Sequence, residues 1–451
     1  MGSSILSMPW GVQRAGLLGG LLLMILMGAL CLYTSHLILR VHSYYSGQGE
    51  YIDVGDMCRM LLGRYTAVIS RVVSLIVLLG ASIVYWVLMS NFFYNSVTYF
   101  HVVCPRFQDA FVPNLTMETV GVNTMAETPS FNGTMPIVAD DTTLYERLWS
   151  VQGTVPIFLA VIVFPLVNFR SATFFTKFNS LGTLSVIYLI IFVIAKAASW
   201  GIHINPSPIN NLLVNGTIPI GSGVLKEIMD VTTPLFLPSF PALSGMLALS
   251  FFIHNIIINI MRNNKYQENN GRDLSIAFIL VTTTYLIIGG VFYLSFPLNK
   301  ECIEDAFLNN FPIWDGMTVV ARLFLLFQLM TVYPLLVYML RVQLFAALPF
   351  LNPPVLHHVT SFNKVSAATS SPPQARMLTI AWYTCEFTGA VSGFVYVFTI
   401  PCLLHIASEK LNYPGEGACS TGVSFTSLTF HLAIPLLALA NLIAQFFISD
   451  S

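Results

Sequence analysis

The feature that most constrains this chain is a series of apolar stretches, each about 20 residues long, along most of its length. A helix needs roughly 20 mainly apolar residues to cross the hydrocarbon core of a bilayer. Nine stretches meet this requirement, at about 16–39, 72–96, 148–169, 178–199, 239–261, 274–297, 318–342, 387–407 and 424–448. Only 9% of the residues are charged, against roughly 25% in soluble domains. The sequence therefore predicts an all-α polytopic membrane protein with a single transmembrane domain over residues 1–449.

The first 15 residues precede these stretches and resemble half of a helix that is interrupted by small residues and a proline. They contain Gly2, Ser3, Ser4, Ser7 and Pro9. Inside a bilayer an interrupted helix survives only where it is buried or lines a cavity, because each backbone N–H and C=O needs a partner. Transporters use such breaks to hold substrates and ions. Small residues also permit close helix packing, and the segment alone leaves both interpretations open.

The charges in the connecting loops predict the orientation of the chain. Basic loops contain Arg40, Arg59, Arg64, Arg71, Arg170, Lys177, Arg262, Lys265, Arg272 and Arg341. The opposite loops contain Asp109, Glu118, Glu127, Asp140, Asp141, Glu146, Glu227, Asp230, Glu301, Glu304 and Asp305. Cytosolic loops are enriched in Lys and Arg, so the basic side is predicted to be cytosolic. The glycosylation sequons at Asn114, Asn132 and Asn215 all lie on the acidic side, which agrees.

Two of the loops carry further signals. Residues 101–147 lack sustained periodicity and are predicted to form a solvated, glycosylated luminal loop. Cys104 and Cys302 are the only cysteines in the acidic loops, and an oxidising lumen would let them pair, although two free thiols remain the alternative. Residues 51–66 fit a short amphipathic helix on the cytosolic membrane surface.

The sequence contains no catalytic motif of a known type, because HExxH, the Walker phosphate loop, the nucleophile elbow and CxxC are all missing. We therefore expect no enzymatic activity. Two polar groups within the spans are of interest instead. His254 lies in the stretch 239–261, which is predicted to be interrupted near 245–255, and it either bonds a neighbouring helix or contacts a ligand. Thr331 precedes Pro334, and its hydroxyl either bonds the preceding turn or coordinates a sodium ion.

Several strings in the chain resemble a known transporter family. They are MGSSILSMPWG at 1–11, VYWVLMSN at 84–91, FFIHN at 251–255, NNKYQENN at 263–270 and FQLMTVYPL at 327–335. They are similar to the sodium-coupled neutral amino acid transporters of solute carrier family 38, in the amino acid/polyamine/organocation superfamily, and to its lysosomal, arginine-responsive branch. The resemblance extends over about 1–350 and 387–449.

The resemblance implies an inverted-repeat fold of five plus five spans, with eleven spans in total and with spans one and six broken around a central site. Arginine or another amino acid would be bound by Met1, Gly2, Ser3, Ser4, Phe252 and His254. The first four would act largely through backbone atoms. A sodium ion, coupling or structural, would be held by Thr331 and the carbonyl of Met1.

The resemblance also implies the function. Such transporters export essential neutral amino acids such as leucine from lysosomes or late endosomes when luminal arginine is high. They signal arginine sufficiency to TOR kinase complex 1 through Rag GTPases and Ragulator, which bind an N-terminal tail. Cholesterol is the expected lipid modulator, and Arg322, Phe324 and Leu326 match a weak inverted cholesterol motif. Neither net charge nor composition indicates a nucleic-acid partner.

Two departures from the family pattern qualify these expectations. The chain opens inside the signature, so we expect the first half of span one and the tail to be missing. Residues 343–386 lack 18 consecutive apolar residues where the ninth span should lie, which indicates either a gene-model error or a genuine variant. The alternatives to an arginine-regulated lysosomal exporter are an arginine sensor with little flux, a plasma-membrane sodium-coupled transporter, and a non-transporting isoform.

Overall fold

The structure is a computed structural model that describes residues 3–45, 52–111, 149, 154–167, 182–203, 234–262, 264–347, 389–412 and 425–448. In chain order its helices are α1 Met8–Ala15, α2 Leu17–Tyr45, α3 Val54–Leu61, α4 Arg64–Phe111, α5 Val155–Val167, α6 Gly182–Trp200, α7 Phe240–Ser250, α8 Ile257–Arg262, α9 Asn270–Leu286, α10 Phe292–Ser295, α11 Gly316–Ala347, α12 Ile400–Asn412 and α13 Phe425–Ile448. A π-helical turn at Ile287–Val291 joins α9 to α10, and another at Gly393–Thr399 leads into α12.

The predicted membrane spans are confirmed as helices. Seven helices in the described part of the chain are long and apolar enough to cross a membrane, and the shorter α5 and α7 are also apolar. The stretch 239–261 is divided into α7 and α8, as its sequence predicted. The eleven-span total and the five-plus-five repeat stay predictions, because residues 348–388 lie outside the described residues.

Three predicted loop and helix boundaries were wrong. The luminal loop was expected from residue 101, but α4 continues as helix to Phe111. The anomalous segment was expected from residue 343, but α11 continues to Ala347. The amphipathic helix expected over 51–66 is present as α3, but it ends at Leu61 because Gly63 takes a φ of +96° before α4 begins.

Large apolar side chains face outward on the helices, as lipid contact requires. Examples are Leu26 at 61%, Val161 at 69% and Leu437 at 71% exposure. Many buried hydroxyls, in contrast, bond to backbone carbonyls within the protein, such as Ser82 Oγ to the Leu78 carbonyl at 2.7 Å. This arrangement is expected for a protein whose solvent is hydrocarbon, because an unpaired polar group would be costly there.

The short helix α1 is joined to α2 by a sharp turn at Gly16. Gly16 has a φ of +81°, and a Cβ added there would lie 2.7 Å from the backbone of Leu235. Extended residues ahead of α7 pair with this turn: Leu17 N–H donates to the Pro234 carbonyl at 3.0 Å, and Gly19 N–H donates to the Leu235 carbonyl at 2.9 Å. The first N–H groups of α2, which have no partner within their own helix, are thereby satisfied.

The π-helical turn after α9 packs closely on α1 and α2. A Cβ added to Gly289 would lie 3.1 Å from Met24 Cε and 3.3 Å from Met8 Cβ. Single π turns inside α-helices occur frequently at functional sites. Here the turn brings the last residues of α9 against the first helix break.

A compact polar group joins α2, α12 and α13 near their predicted cytosolic ends. The Tyr33 hydroxyl and His431 Nε2 lie 2.7 Å apart, and the rings of His405 and His431 are 4.6 Å apart. His405 Nε2 lies 3.2 Å from Glu409 Oε1, and Ser427 Oγ donates to Glu409 Oε2 at 3.0 Å. These contacts connect residues almost 400 positions apart and fix α13 to the rest of the bundle.

Several predicted loop features cannot be placed. Asn114, Asn132, Asn215 and the side chain of Cys104 lie outside the described residues. Cys302 is exposed and carries a free thiol. Its pairing with Cys104 and the three glycosylation sites therefore stay predictions.

We expect the stability of the protein to depend on the ionisation of Asp305, in the loop that faces Arg14. Burial raises the pKa of Asp305 to about 6, helped by Glu304 and opposed by Arg14. The unfolded carboxyl has a pKa of about 3.9. The folded state therefore holds a proton that the unfolded state loses, and the free energy of unfolding should fall as pH rises from about 4 to about 6. Solvent screening limits the effect to about 1 kcal/mol.

Asp305→Asn should flatten this pH dependence, which thermal unfolding of the purified protein from about pH 4 to about pH 7 would measure. Glu301→Gln, in the same loop and exposed, is the matched control and should keep the wild-type slope. Equal slopes for wild type and Asp305→Asn would contradict the assignment.

Candidate functional site

The first helix break runs through the middle of the protein. Ser3–Ser7 form a 3₁₀ turn ahead of α1, and Ile5, Leu6 and Ser7 are at most 1% exposed. Ser7 Oγ donates to the Ser4 carbonyl at 3.0 Å. The turn contacts α4, α7 and the 3₁₀ turn Phe307–Asn310. An irregular backbone is therefore enclosed by helices, as a break at membrane depth requires.

The second break separates α7 from α8. Phe251 N–H still donates to the Leu247 carbonyl at 2.9 Å, and Phe252 N–H donates to the Leu249 carbonyl at 3.1 Å. Regular helix resumes at Ile257. Ile256 N–H donates to the Ile253 carbonyl at 3.0 Å, but the regular helical pattern is lost over residues 253–256. Backbone groups there that the helix no longer pairs are available to a ligand or to other parts of the protein.

Two side chains anchor this second break to the surrounding helices. His254 is fully buried, and its Nε2 lies 2.9 Å from Thr34 Oγ1 and 3.2 Å from Ser35 Oγ on α2. Asn255 Nδ2 donates to Ser74 Oγ on α4 at 3.1 Å. Of the two roles considered for His254, the structure shows the bond to a neighbouring helix.

A buried tyrosine lies where the two breaks meet. The hydroxyl of Tyr285, at the end of α9, faces the side chains of Ser4 and Ser250. Among the described residues, none makes a hydrogen bond of standard geometry to it. Tyr85 of α4 is close enough to interact with it electrostatically. A buried tyrosine hydroxyl almost always has a partner, so the hydroxyls of Ser4 and Ser250, a water molecule or a bound ligand can fill this role.

The two broken segments carry no acidic side chain, since residues 3–16 and 240–262 contain neither Asp nor Glu. A ligand there would be held by backbone groups and hydroxyls. N–H groups at a helix break bind a carboxylate, and freed carbonyls bind an ammonium group. The arrangement suits a zwitterion with an uncharged side chain.

The structure places some of the predicted ligand residues near this site. Ser4 lies at the junction of the two breaks, and Phe252 lies in the second break with its ring 6.1 Å from His254 and 5.5 Å from Tyr396. The backbone of Ser3 belongs to the 3₁₀ turn. Met1 and Gly2 lie outside the described residues, so their part in the site stays a prediction.

Thr331 lies on α11, which packs mainly against α4 and α6. Its hydroxyl donates to the Gln328 carbonyl at 2.8 Å, which is the bond to the preceding turn. The hydroxyl oxygen keeps lone pairs that a cation could use. Within the described residues no group of three His, Cys, Asp or Glu side chains could hold a metal ion. Hydroxyls and backbone carbonyls are the oxygens that remain for a hard cation such as sodium.

Tyr285 was not among the site residues predicted from the sequence, and Arg322 was predicted only as part of a cholesterol motif. Tyr285 ends the run Thr282–Tyr285, four residues before Gly289, and that polar run inside an apolar span was the available signal. Arg322 is 2% exposed and its guanidinium donates to the Leu308 carbonyl at 3.0 Å. Arg322 is the basic end of the predicted cholesterol motif, and its burial keeps that end away from lipid. Leu326, at the other end of the motif, is also buried, at 8% exposure.

We expect His254 to act as the anchor of the second break. His254→Ala removes the bonds to Thr34 and Ser35 and leaves a cavity, which should destabilise the protein by about 2 kcal/mol or more. Thr34→Val tests the same contact from α2. Because the two side chains touch, the double variant should lose less than the sum of the single losses, with a coupling of about 0.5 kcal/mol or more. Strictly additive losses in melting experiments would rule out the anchoring bond.

The chain is similar to known amino acid transporters over nearly its whole length. The family described as transmembrane amino acid transporter proteins matches residues 1–117 and 134–444. Neutral amino acid transporter 9 of Xenopus tropicalis is 39% identical over 459 residues, which cover 99% of this chain and 78% of that protein. The Danio rerio protein of the same name is 39% identical over 462 residues, with the same coverage. The sodium-coupled neutral amino acid transporter 9 homolog of Caenorhabditis elegans is 36% identical over 478 residues, 99% of this chain and 71% of its own length.

The family match includes residues 343–386, so the resemblance is not interrupted there as the strings suggested.

Proposed function

The chain belongs to the transmembrane amino acid transporter family, and from that premise we propose that it exports neutral amino acids such as leucine from the lysosome under the control of arginine. The family makes it a multi-pass membrane transporter and not an enzyme. The observation that carries the proposal is the unsatisfied Tyr285 hydroxyl between Ser4 and Ser250, at the junction of the two helix breaks.

The chemistry of this junction favours neutral cargo. The α-carboxylate and α-ammonium of an amino acid match the freed N–H and carbonyl groups of the two breaks. The hydroxyls of Ser4, Ser250 and Tyr285 would add hydrogen bonds to the substrate and carry no net charge. Since the broken segments contain no carboxylate, a guanidinium side chain would find no counter-charge from them. This supports leucine-like cargo and assigns arginine a regulatory part.

The lysosomal setting belongs to the proposal by family resemblance, and the predicted orientation is compatible with it. The three sequons and the acidic loops would face the lumen. Signalling to TOR kinase complex 1 through Rag GTPases and Ragulator, and modulation by cholesterol, belong to the proposal by family resemblance. Sodium, held by Thr331 and a carbonyl of the first break, is the proposed coupling or structural ion.

We expect leucine flux from proteoliposomes containing this chain to rise when arginine is present on the luminal face. Tyr285→Phe should raise the leucine concentration needed for half-maximal flux about tenfold, because one buried hydrogen bond to the substrate is lost. Its melting temperature should fall little, since no hydrogen bond of standard geometry joins this hydroxyl to the described residues. Flux and thermal unfolding measured on the same preparations test both statements.

Tyr293→Phe is the matched control, because Tyr293 is equally buried and its hydroxyl is also unsatisfied, but it lies beside Lys300. It should leave leucine flux unchanged. Equal effects of the two variants would exclude Tyr285 from the site. Arginine binding without leucine flux would favour the sensor over the transporter.

We expect Thr331→Ala to weaken any dependence of flux on sodium, because a hydroxyl ligand is removed from the proposed ion site. Flux would be compared with sodium present and with sodium replaced by choline. Ser82→Ala, which loses the same kind of bond to its preceding turn in α4, should retain the wild-type sodium response. A sodium response unchanged by Thr331→Ala would remove this residue from the ion site.

A further inference from the structure

A relay of two hydrogen bonds joins the second helix break to the helix pair α4 and α11. Asn255 Nδ2 donates to Ser74 Oγ at 3.1 Å, and Ser74 Oγ donates to Gln343 Oε1 at 2.7 Å. Asn255 and Ser74 are 5% and 3% exposed, so water does not compete for these groups. Because a buried amide or hydroxyl without a partner is costly, the relay holds the break in place at this point.

The other attachments of the break lead to a different group of helices. His254 bonds Thr34 of α2, and the ring of Phe251 stacks on Phe278 of α9 with 5.8 Å between centroids. The main neighbours of α2 are α1, α7, α8, α9 and α12, whereas those of α11 are α4, α5 and α6. Within the described residues neither α4 nor α11 is a main neighbour of α2. The relay is therefore a contact between the two groups of helices.

The relay lies between the amino acid site and the predicted cytosolic side. Tyr85, the residue of α4 that interacts with Tyr285, lies about three turns or roughly 16 Å beyond Ser74 along the helix. In the other direction, about one turn away, Arg71 pairs with Asp56 of α3 at the predicted cytosolic surface. An amino acid that leaves the site for the cytosol has to pass this level of the bundle.

We propose that Ser74 is a positioning residue that keeps the cytosolic side of the amino acid site closed, because it holds Asn255 against α4 and α11. Transporters with broken helices open alternately to the two sides by moving one group of helices against another around the site. When the break moves with α2, the bond from Asn255 to Ser74 has to break, while the bond from His254 to Thr34 is kept. Release to the cytosol begins with this separation. The inference deepens the proposed transport function and rests on it.

The first experiment measures amide hydrogen exchange of the purified full chain, which does not depend on transport. Ser74→Ala removes the middle of the relay, so the amides of residues 253–258 should exchange about fivefold faster, as the loss of one buried hydrogen bond predicts. Amides around Thr34 should keep wild-type rates, because α2 keeps its bond to the break. Ser90→Ala is the matched control, since Ser90 is also buried in α4 but bonds a carbonyl of its own helix. Unchanged exchange over 253–258 in Ser74→Ala would overturn the proposal.

The second experiment asks whether the contact has to open during transport, which a purely structural contact would not need. In a variant with Ser74→Cys and Asn255→Cys, a short bis-methanethiosulfonate reagent should join α4 to the break. Leucine flux in proteoliposomes should then be lost, and dithiothreitol should restore it. The matched control is His36→Cys with Ser275→Cys, because His36 Nε2 and Ser275 Oγ are 3.2 Å apart but lie on α2 and α9 of one group. Cross-linking of this control pair should leave flux unchanged.

Peptide mapping verifies each cross-link, and the wild-type chain and the Ser74→Cys single variant, treated with the same reagent, give the baseline for the native cysteines. Undiminished flux after cross-linking at Ser74 and Asn255 would overturn the proposal, and so would equal losses of flux in the two pairs. Failure of the Ser74 and Asn255 positions to cross-link would contradict the contact itself. A wild-type chain without leucine flux would count against the proposed function alone, and the exchange rates over 253–258 would then decide whether the relay holds the break.

Discussion

The structure depends on one constraint, which is that every backbone N–H and C=O at membrane depth must find a partner. Two of its helices are interrupted, so the groups that a continuous helix would pair must be satisfied from elsewhere. At the turn between α1 and α2, which follows the first break, the partners are backbone groups: residues 234–237 pair with this turn, and Leu237 N–H donates to the Ala15 carbonyl at 3.0 Å. This pairing brings α7 beside α1 and so places the two breaks next to each other.

The second break is held mainly by side chains and not by backbone pairing. Some polar groups around it bond neighbouring helices, and others are left without such a bond. His254 Nε2 and Asn255 Nδ2 form hydrogen bonds with α2 and α4, whereas His254 Nδ1 is buried and has no partner among the described residues. Tyr285, in contrast, has a hydroxyl in the same region without a bond of standard geometry. A satisfied polar group fixes the backbone around it, whereas an unsatisfied buried group gains most when a ligand arrives. The polar groups that remain available at the junction are therefore the ones on which the proposed amino acid site rests.

Sequence reasoning predicted the spans and both breaks, because these follow from hydropathy and from local residue types. It could not predict which groups would meet across the fold. The contact between Thr34 and His254 joins residues 220 positions apart, and hydropathy carries no information about such pairing. For the same reason the sequence left two roles open for His254 and for Thr331, and it missed Tyr285 in an apolar span. The predicted end of α3 was wrong because a single residue, Gly63, ends the helix through its positive φ.

The shortness of α8 ties the second break to the helix that lies beside it. Six residues of helix span about 9 Å, so α8 is a single short piece with the break directly ahead of its first residue. It contacts α2, and His254 in the break bonds the same helix. Because the break and the helix that follows it are both held by α2, a change in the geometry of the break has to be made against these contacts.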